Sequence, residues 1–115
     1  MKYKNTLQKG SVRYIIFREE NNWYGVGLEF NIVESGSTPQ EAMLLLFEAI
    51  RGYVESAKKI KARPYILNQK SDSEYEQMWK QLSTSRLKQK ELKSVFSFGQ
   101  MNIPLSINKV SFTSA

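Results

Sequence analysis

The 115-residue sequence contains no cysteine and no histidine. Without cysteine there is no disulfide framework, thiolate zinc site, iron–sulfur cluster or cysteine nucleophile. Without histidine the chain lacks the side chain that most often serves as general acid or base, and the commonest zinc ligand. Serine triads, Cys–His dyads and zincin motifs are therefore excluded, and an enzyme built on this chain is left with carboxylate–metal chemistry or a lysine or tyrosine. Long apolar runs are also missing: Ala42 to Phe47 is the longest, far short of the roughly 20 residues a membrane helix needs. The start, MKYKNTLQKGS, carries positive charge with no apolar stretch behind it, unlike a secretory signal. The expectation is a cytoplasmic protein.

What is present fits one domain. Hydrophobic residues make up 41% and charged residues 24%, near the globular average, and the length suits a single core. Charge is unevenly spread. Residues 1–57 carry six Lys/Arg against seven Glu, a net of −1, whereas residues 58–115 carry eleven against four acids, a net of +7. Such asymmetry points the second half towards something acidic, a nucleic acid or a protein surface; solvated lysines on a polar face are the plain alternative.

Residues 1–10, closed by Gly10, read as a loosely attached lead-in. Ser11–Arg18 is rich in β-branched and aromatic residues and reads as a strand, with Glu19–Asn22 as a polar turn. Trp23–Phe30 alternates with period two: Tyr24, Val26, Leu28 and Phe30 point one way, Gly25, Gly27 and Glu29 the other. The short link makes the pair an antiparallel hairpin. The two glycines would let a backbone or bulky side chain approach closely. A third strand is expected over Ile32–Glu34, with a kink or bulge near Asn31. Thr38 is a good N-cap, Pro39 fits the first helical position and Glu41 completes a capping box, so a helix should run from Pro39 to about Lys59. Its apolar stripe, Ala42, Leu45, Leu46, Ala49, Tyr53, Ala57 and Ile60, is widened by Met43, Leu44, Phe47, Ile50 and Val54. That exceeds what one sheet contact requires, and implies packing from the second half or an oligomer or partner surface.

Beyond Pro64 the signals are shorter. Tyr65–Leu67 reads as a short strand, Ser73–Glu76 as a second capping box opening a helix over 74–82, and Ser83–Ser85 as its end. Ser94–Phe98 has strand composition, Gly99 reads as a turn, and a last strand is expected near Lys109–Phe112. The fold class is α+β: an antiparallel sheet of three to four strands covered by one long helix. Residues 1–68 form the domain, and 69–115 an extension packed on it.

The stretch YGVGLEFNIVESGSTPQEAMLLLFEAIRGYVE, residues 24–55, resembles the HicB-like antitoxin family, in which strands ending in a segment like LDIV-x-x-G-x-T-x-EEA lead into an amphipathic helix. The matching positions are Leu28, Ile32, Val33, Gly36, Thr38, Glu41, Ala42, Glu48, Ala49 and Tyr53, and with the first strand the resemblance covers residues 11–58. It implies a partial RNase H-like β-β-β-α-β unit that binds and inhibits a HicA-like toxin, a small mRNA-cleaving ribonuclease. Many members also repress their own operon as dimers or tetramers through a C-terminal DNA-binding segment. Here Asn31 stands where the family often has Asp, and residues 64–115 match neither of the family's DNA-binding modules.

Two-metal nuclease chemistry needs converging carboxylates. The candidates Glu19, Glu20, Glu29, Glu34 and Glu48 are poorly spaced for it, and Asp72 is the only aspartate. No catalysis, metal or cofactor is expected. Glu19, Glu20, Glu29 and Glu34 instead suit the basic face of a ribonuclease, with Trp23 as an aromatic anchor and Phe47 as a second apolar contact. The expected partners are a HicA-like toxin and further copies of the chain, as a homodimer or higher oligomer. The alternative is a small nucleic-acid-binding regulator using Arg86, Lys88, Lys90 and Lys93, together with Lys58, Lys59, Lys61 and Arg63, to track phosphates of an operator.

Overall fold

The computed structural model describes residues 4–84 and 95–103, and the backbone of 106–112. Strands β1 (Gly10–Glu19), β2 (Asn22–Gly27) and β3 (Ile32–Gly36) precede helix α1 (Pro39–Lys59). A 3₁₀ turn (Pro64–Leu67), helix α2 (Ser73–Thr84) and strands β4 (Val95–Ile103) and β5 (Ser106–Phe112) follow. The strands form one sheet of order β3-β2-β1-β4-β5, with every neighbouring pair antiparallel. The α+β reading holds, and β5 extends the sheet to five strands.

β1 lies at the centre, and both of its faces are buried. Val12, Tyr14 and Ile16 turn to one side and meet Ala42, Leu46, Ile50, Val54 and Ala57 of α1. Ile15 and Phe17 turn to the other side, with Val26 and Leu28, and meet Met78 and Leu82 of α2. A strand covered on both faces shows no polar alternation, which is why SVRYIIFR reads as a continuous run. The extension beyond residue 68 therefore places β4 against β1 and lays α2 on the sheet face opposite α1.

The glycines of β2 act as the alternation implies. Gly25 and Gly27 face α1: a Cβ at Gly25 would stand 3.1 Å from the Ala42 carbonyl oxygen and 3.1 Å from Leu46 Cβ, and one at Gly27 3.2 Å from Ile50 Cδ1. The alternation ends earlier than expected. β2 stops at Gly27, and residues 28–31 turn, closed by the Asn31 N–H on the Leu28 carbonyl at 3.1 Å, with Asn31 in the left-handed region at φ 55°. Asparagine tolerates that region better than most residues. The turn carries Phe30 across to the α1 core, where its ring packs 4.7 Å from that of Tyr53.

α1 has the expected bounds. Thr38 Oγ1 accepts the Glu41 N–H at 3.1 Å, whereas the Glu41 carboxylate reaches past the cap to the Ser37 N–H at 2.6 Å. At the other end Lys61 adopts φ 52°, the Ala62 N–H returns to the Ala57 carbonyl and the Lys61 N–H to that of Lys58. This is a Schellman closure made without the usual glycine.

Four expectations are corrected. The lead-in is not loose from Asn5 onward: Asn5 is fully buried, its Nδ2 donates to the Leu67 carbonyl, its Oδ1 accepts the Ser11 N–H, and Asn68 clasps its backbone from both sides. Residues 65–67 belong instead to the Pro64–Leu67 3₁₀ turn, whose helical φ Pro64 fixes at its start. Gly99 is not a turn but lies inside β4, paired with Tyr14 of β1. The second capping box does not form, because the Glu76 carboxylate turns away to Arg13 and Ser71 while the Asp72 carbonyl takes the Tyr75 and Glu76 N–H groups.

Tyr14 is fully buried beside Phe47, their rings edge-to-face at 5.0 Å. Burial pushes its phenol up to about 12, tempered by the Ser97 hydroxyl close by. Neither hydroxyl meets a partner in hydrogen-bonding geometry. A buried polar group left unpaired costs about 1–3 kcal/mol, so Tyr14→Phe is expected to raise unfolding free energy by roughly 1 kcal/mol in urea titration; a loss of stability would show that the phenol has a partner.

Candidate protein-binding surface

The acidic residues singled out in the sequence do not share one face. Glu29 is 7% exposed and sits in the 28–31 turn. Its Oε1 accepts the Arg13 backbone N–H at 2.8 Å, and its Oε2 accepts Arg13 Nε at 2.6 Å and Lys4 Nζ at 3.2 Å. The rest of the Arg13 guanidinium makes a bidentate pair with Glu76 of α2, at 3.0 and 2.9 Å, and lies 5.6 Å from the Trp79 ring centroid. Burial works against the charge on Arg13, but the bonds to Glu76 and Glu29 overcome it and hold the guanidinium above its ordinary value. The same Arg13 bonds, opposed by burial and helped by Ser71, hold the Glu76 carboxyl below the usual range. This network ties β1, the turn and α2 together, and gives Glu29 a structural position.

Glu20 lies in the tight two-residue turn between β1 and β2, exposed at φ 58°, with Glu19 pairing Asn22 across it. Glu34 pairs with Gly25 and so projects on the α1 side of β3. Glu48 is exposed on α1. No group of three or more acids among the described residues is placed to hold a metal ion. Trp23 is half-buried, edge-to-face with Phe96 at 6.3 Å and with the Arg18 guanidinium 5.9 Å from its ring. Phe47 packs on the α1 core. Arg86, Lys88, Lys90 and Lys93 lie outside the described residues, while Lys58, Lys59, Lys61 and Arg63 are exposed around the end of α1.

Two features of this region bear on function, the first of them missed by residue-by-residue reading. Residues 19–50 contain six glutamates and neither lysine nor arginine, in a chain with 17 basic residues. A window count shows this run; the division at residue 57 diluted it. The fold gathers the run into one arm: β2, β3 and the first half of α1. Glu29 is taken up by Arg13, which leaves Glu34 on β3 and Glu41 and Glu48 on the first half of α1, with Glu20 in the adjoining β1–β2 turn. The second feature is the apolar exposure left at the same end, where Val33 is 45%, Leu44 59% and Leu45 37% exposed. The breadth of the α1 stripe anticipated this surplus: α2 covers the other face of the sheet and leaves these leucines open.

No protein-family model matches the sequence, and neither a curated protein nor a solved structure does.

Proposed function

We propose that this chain is a protein-binding module, the antitoxin of a HicAB-like pair, which binds and inhibits a small mRNA-cleaving ribonuclease without catalysis of its own. The observation that supports this most directly is the acidic arm: six glutamates and no basic residue over residues 19–50, carried on the strand–strand–capped-helix unit that resembles the HicB-like family. A ribonuclease offers a positive face to RNA, and an acidic arm on an otherwise basic protein steers towards that face and competes with RNA for it. The module acts as a homodimer or higher oligomer with its HicA-like partner.

The test is co-expression with the small reading frame beside this one, with a tag on either chain. The expected result is co-elution in a defined complex, loss of the partner's RNA cleavage, and weakening of the complex by Glu34→Lys. A second reading rests on the exposed cations Lys58, Lys59, Lys61 and Arg63: a small DNA-binding regulator. Absence of any complex, with binding to duplex DNA that falls steeply with salt and less steeply after Lys58→Ala and Lys59→Ala, would replace the antitoxin by that regulator.

A further inference from the structure

β3 is the last strand of the sheet on its side, and the register shows which of its backbone groups are unused. The Leu28 N–H donates to the Arg13 carbonyl at 2.9 Å. In an antiparallel ladder alternate residues bond to opposite neighbours. Leu28, Val26 and Tyr24 therefore face β1, and Gly27, Gly25 and Trp23 bond β3 through their partners Ile32, Glu34 and Gly36. The N–H and C=O groups of Val33 and Ser35 point away from the sheet. Among the described residues no strand pairs with this edge.

The surroundings of the edge have a definite chemistry. The Phe47 flank of α1 packs on Tyr14 of the central strand, so the opposite flank, with Leu45, Ala49 and Gly52 at helical spacing, overhangs the β3 side. A Cβ at Gly52 would meet nothing within 4 Å. On the α2 side Val33 is 45% exposed. Glu34 projects from the edge strand itself, Glu41 and Glu48 lie on the exposed part of α1 above it, and no lysine or arginine occurs between residues 19 and 50.

From these observations we infer that β3 receives an extended, basic segment of a partner protein as a sixth, edge strand. Its backbone bonds Val33 and Ser35, its apolar side chains cover Val33 on the α2 side, and its Lys or Arg side chains meet Glu34, Glu41 and Glu48 on the α1 side. A second copy of this chain fits the edge less well. Two β3 strands paired about Glu34 put two carboxylates directly opposite, a destabilising arrangement, and bring two acidic arms together. The inference deepens the reading of the chain as a protein-binding module and rests on it only for the kind of partner.

The test uses the full chain immobilised and panned against a phage library of random dodecapeptides. The expected enrichment is peptides that alternate apolar residues with Lys or Arg. In the free chain the Val33 and Ser35 amides exchange rapidly with deuterium while those of Ile32 and Glu34 are protected, and the synthetic winning peptide protects Val33 and Ser35. Val33→Pro removes one outward N–H, at an edge position where proline is tolerated, and abolishes binding. Glu34→Lys alters no backbone group and weakens binding about tenfold or more, the scale of one charge reversal at a contact.

Enrichment of neutral or acidic peptides, protection elsewhere, full affinity in Glu34→Lys, or a dimer of the chain that occupies β3 would each overturn the inference. The outcome is separable from the antitoxin reading. A chain that takes basic peptides at β3 but forms no complex with its neighbour keeps the edge and loses the antitoxin. A chain that inhibits the toxin through other residues does the reverse.

Discussion

Arg13→Met is expected to lower the unfolding free energy by about 2–3 kcal/mol, the scale of the charge-assisted hydrogen bonds lost from a part-buried ion pair. The substitution keeps the length and apolar stem of the side chain but leaves the Glu29 carboxylate, 9% exposed at the side chain, with Lys4 and one backbone N–H as its bonding partners. It also frees Glu76 from the bidentate clasp and takes the cation from the face of Trp79. Urea titration followed by tryptophan fluorescence gives the number. Arg13→Met paired with Glu29→Gln should recover a large part of the loss, because the uncompensated charge is then gone. If the single substitution costs less than 1 kcal/mol, the network is a surface feature and α2 is held by its apolar contacts alone.

The pH dependence follows from the same residues. The Glu76 carboxyl is held below its ordinary value of 4.5 in the folded protein, so its contribution is fully present above that value and is withdrawn as pH falls through the lowered one. Wild type should therefore lose stability on acidification below about pH 4.5, and Arg13→Met should show a shallower acid limb, since the clasp that lowers Glu76 is absent.

Gly25→Val is expected to destabilise by roughly 3 kcal/mol, the upper end for overpacking. The first added carbon already stands 3.0 Å from Ile16 Cδ1 and 3.1 Å from both the Ala42 carbonyl oxygen and Leu46 Cβ. Two of these neighbours belong to the first turns of α1, one of them a backbone atom, so the helix must lift from the sheet. Gly52→Ala, on the open flank of α1, serves as the contrast: nothing lies within 4 Å of its new carbon, and alanine's helix propensity should add about 1 kcal/mol. A thermal melt of both variants checks the pair, and equal behaviour would refute the close approach of α1 to β2.

These residues also show where sequence reading reaches its limit. Thr38, Pro39 and Glu41 announced the start of α1 because capping is a local matter of backbone groups within one turn. The glycines of β2 were legible because a period of two survives wherever the opposite residues are uniform. By contrast, Phe30 was assigned to the face of Val26 because nothing short of the Leu28–Asn31 turn separates it from the alternating run. Lys61 closes α1 in a conformation that glycine usually signals, and therefore gave no sign.

The candidate site divides in the same way. The acids of residues 19–50 are a property of the chain, visible before any folding. Their fates are not: Glu29, two residues past the end of β2, is buried against Arg13, while Glu34, five residues further on, stands on the last strand of the sheet. Burial of a carboxylate depends on whether a cation arrives from elsewhere in the fold, and Arg13 is itself held by Glu76 from the second half of the chain.

The sequence alone determined the elements whose causes are local: the capped 39–59 helix, the hairpin before it, the absence of thiol and imidazole chemistry, and the charge imbalance. The tertiary structure decided everything that depends on long-range partners. It made Gly99 a strand residue by placing it opposite Tyr14, brought α2 onto the second face of β1, and left β3 the last strand on its side, with no described strand on the backbone groups of Val33 and Ser35. The physical reason is that capping and periodicity act over a few residues, whereas strand order, face and edge are fixed only when distant segments bury one another.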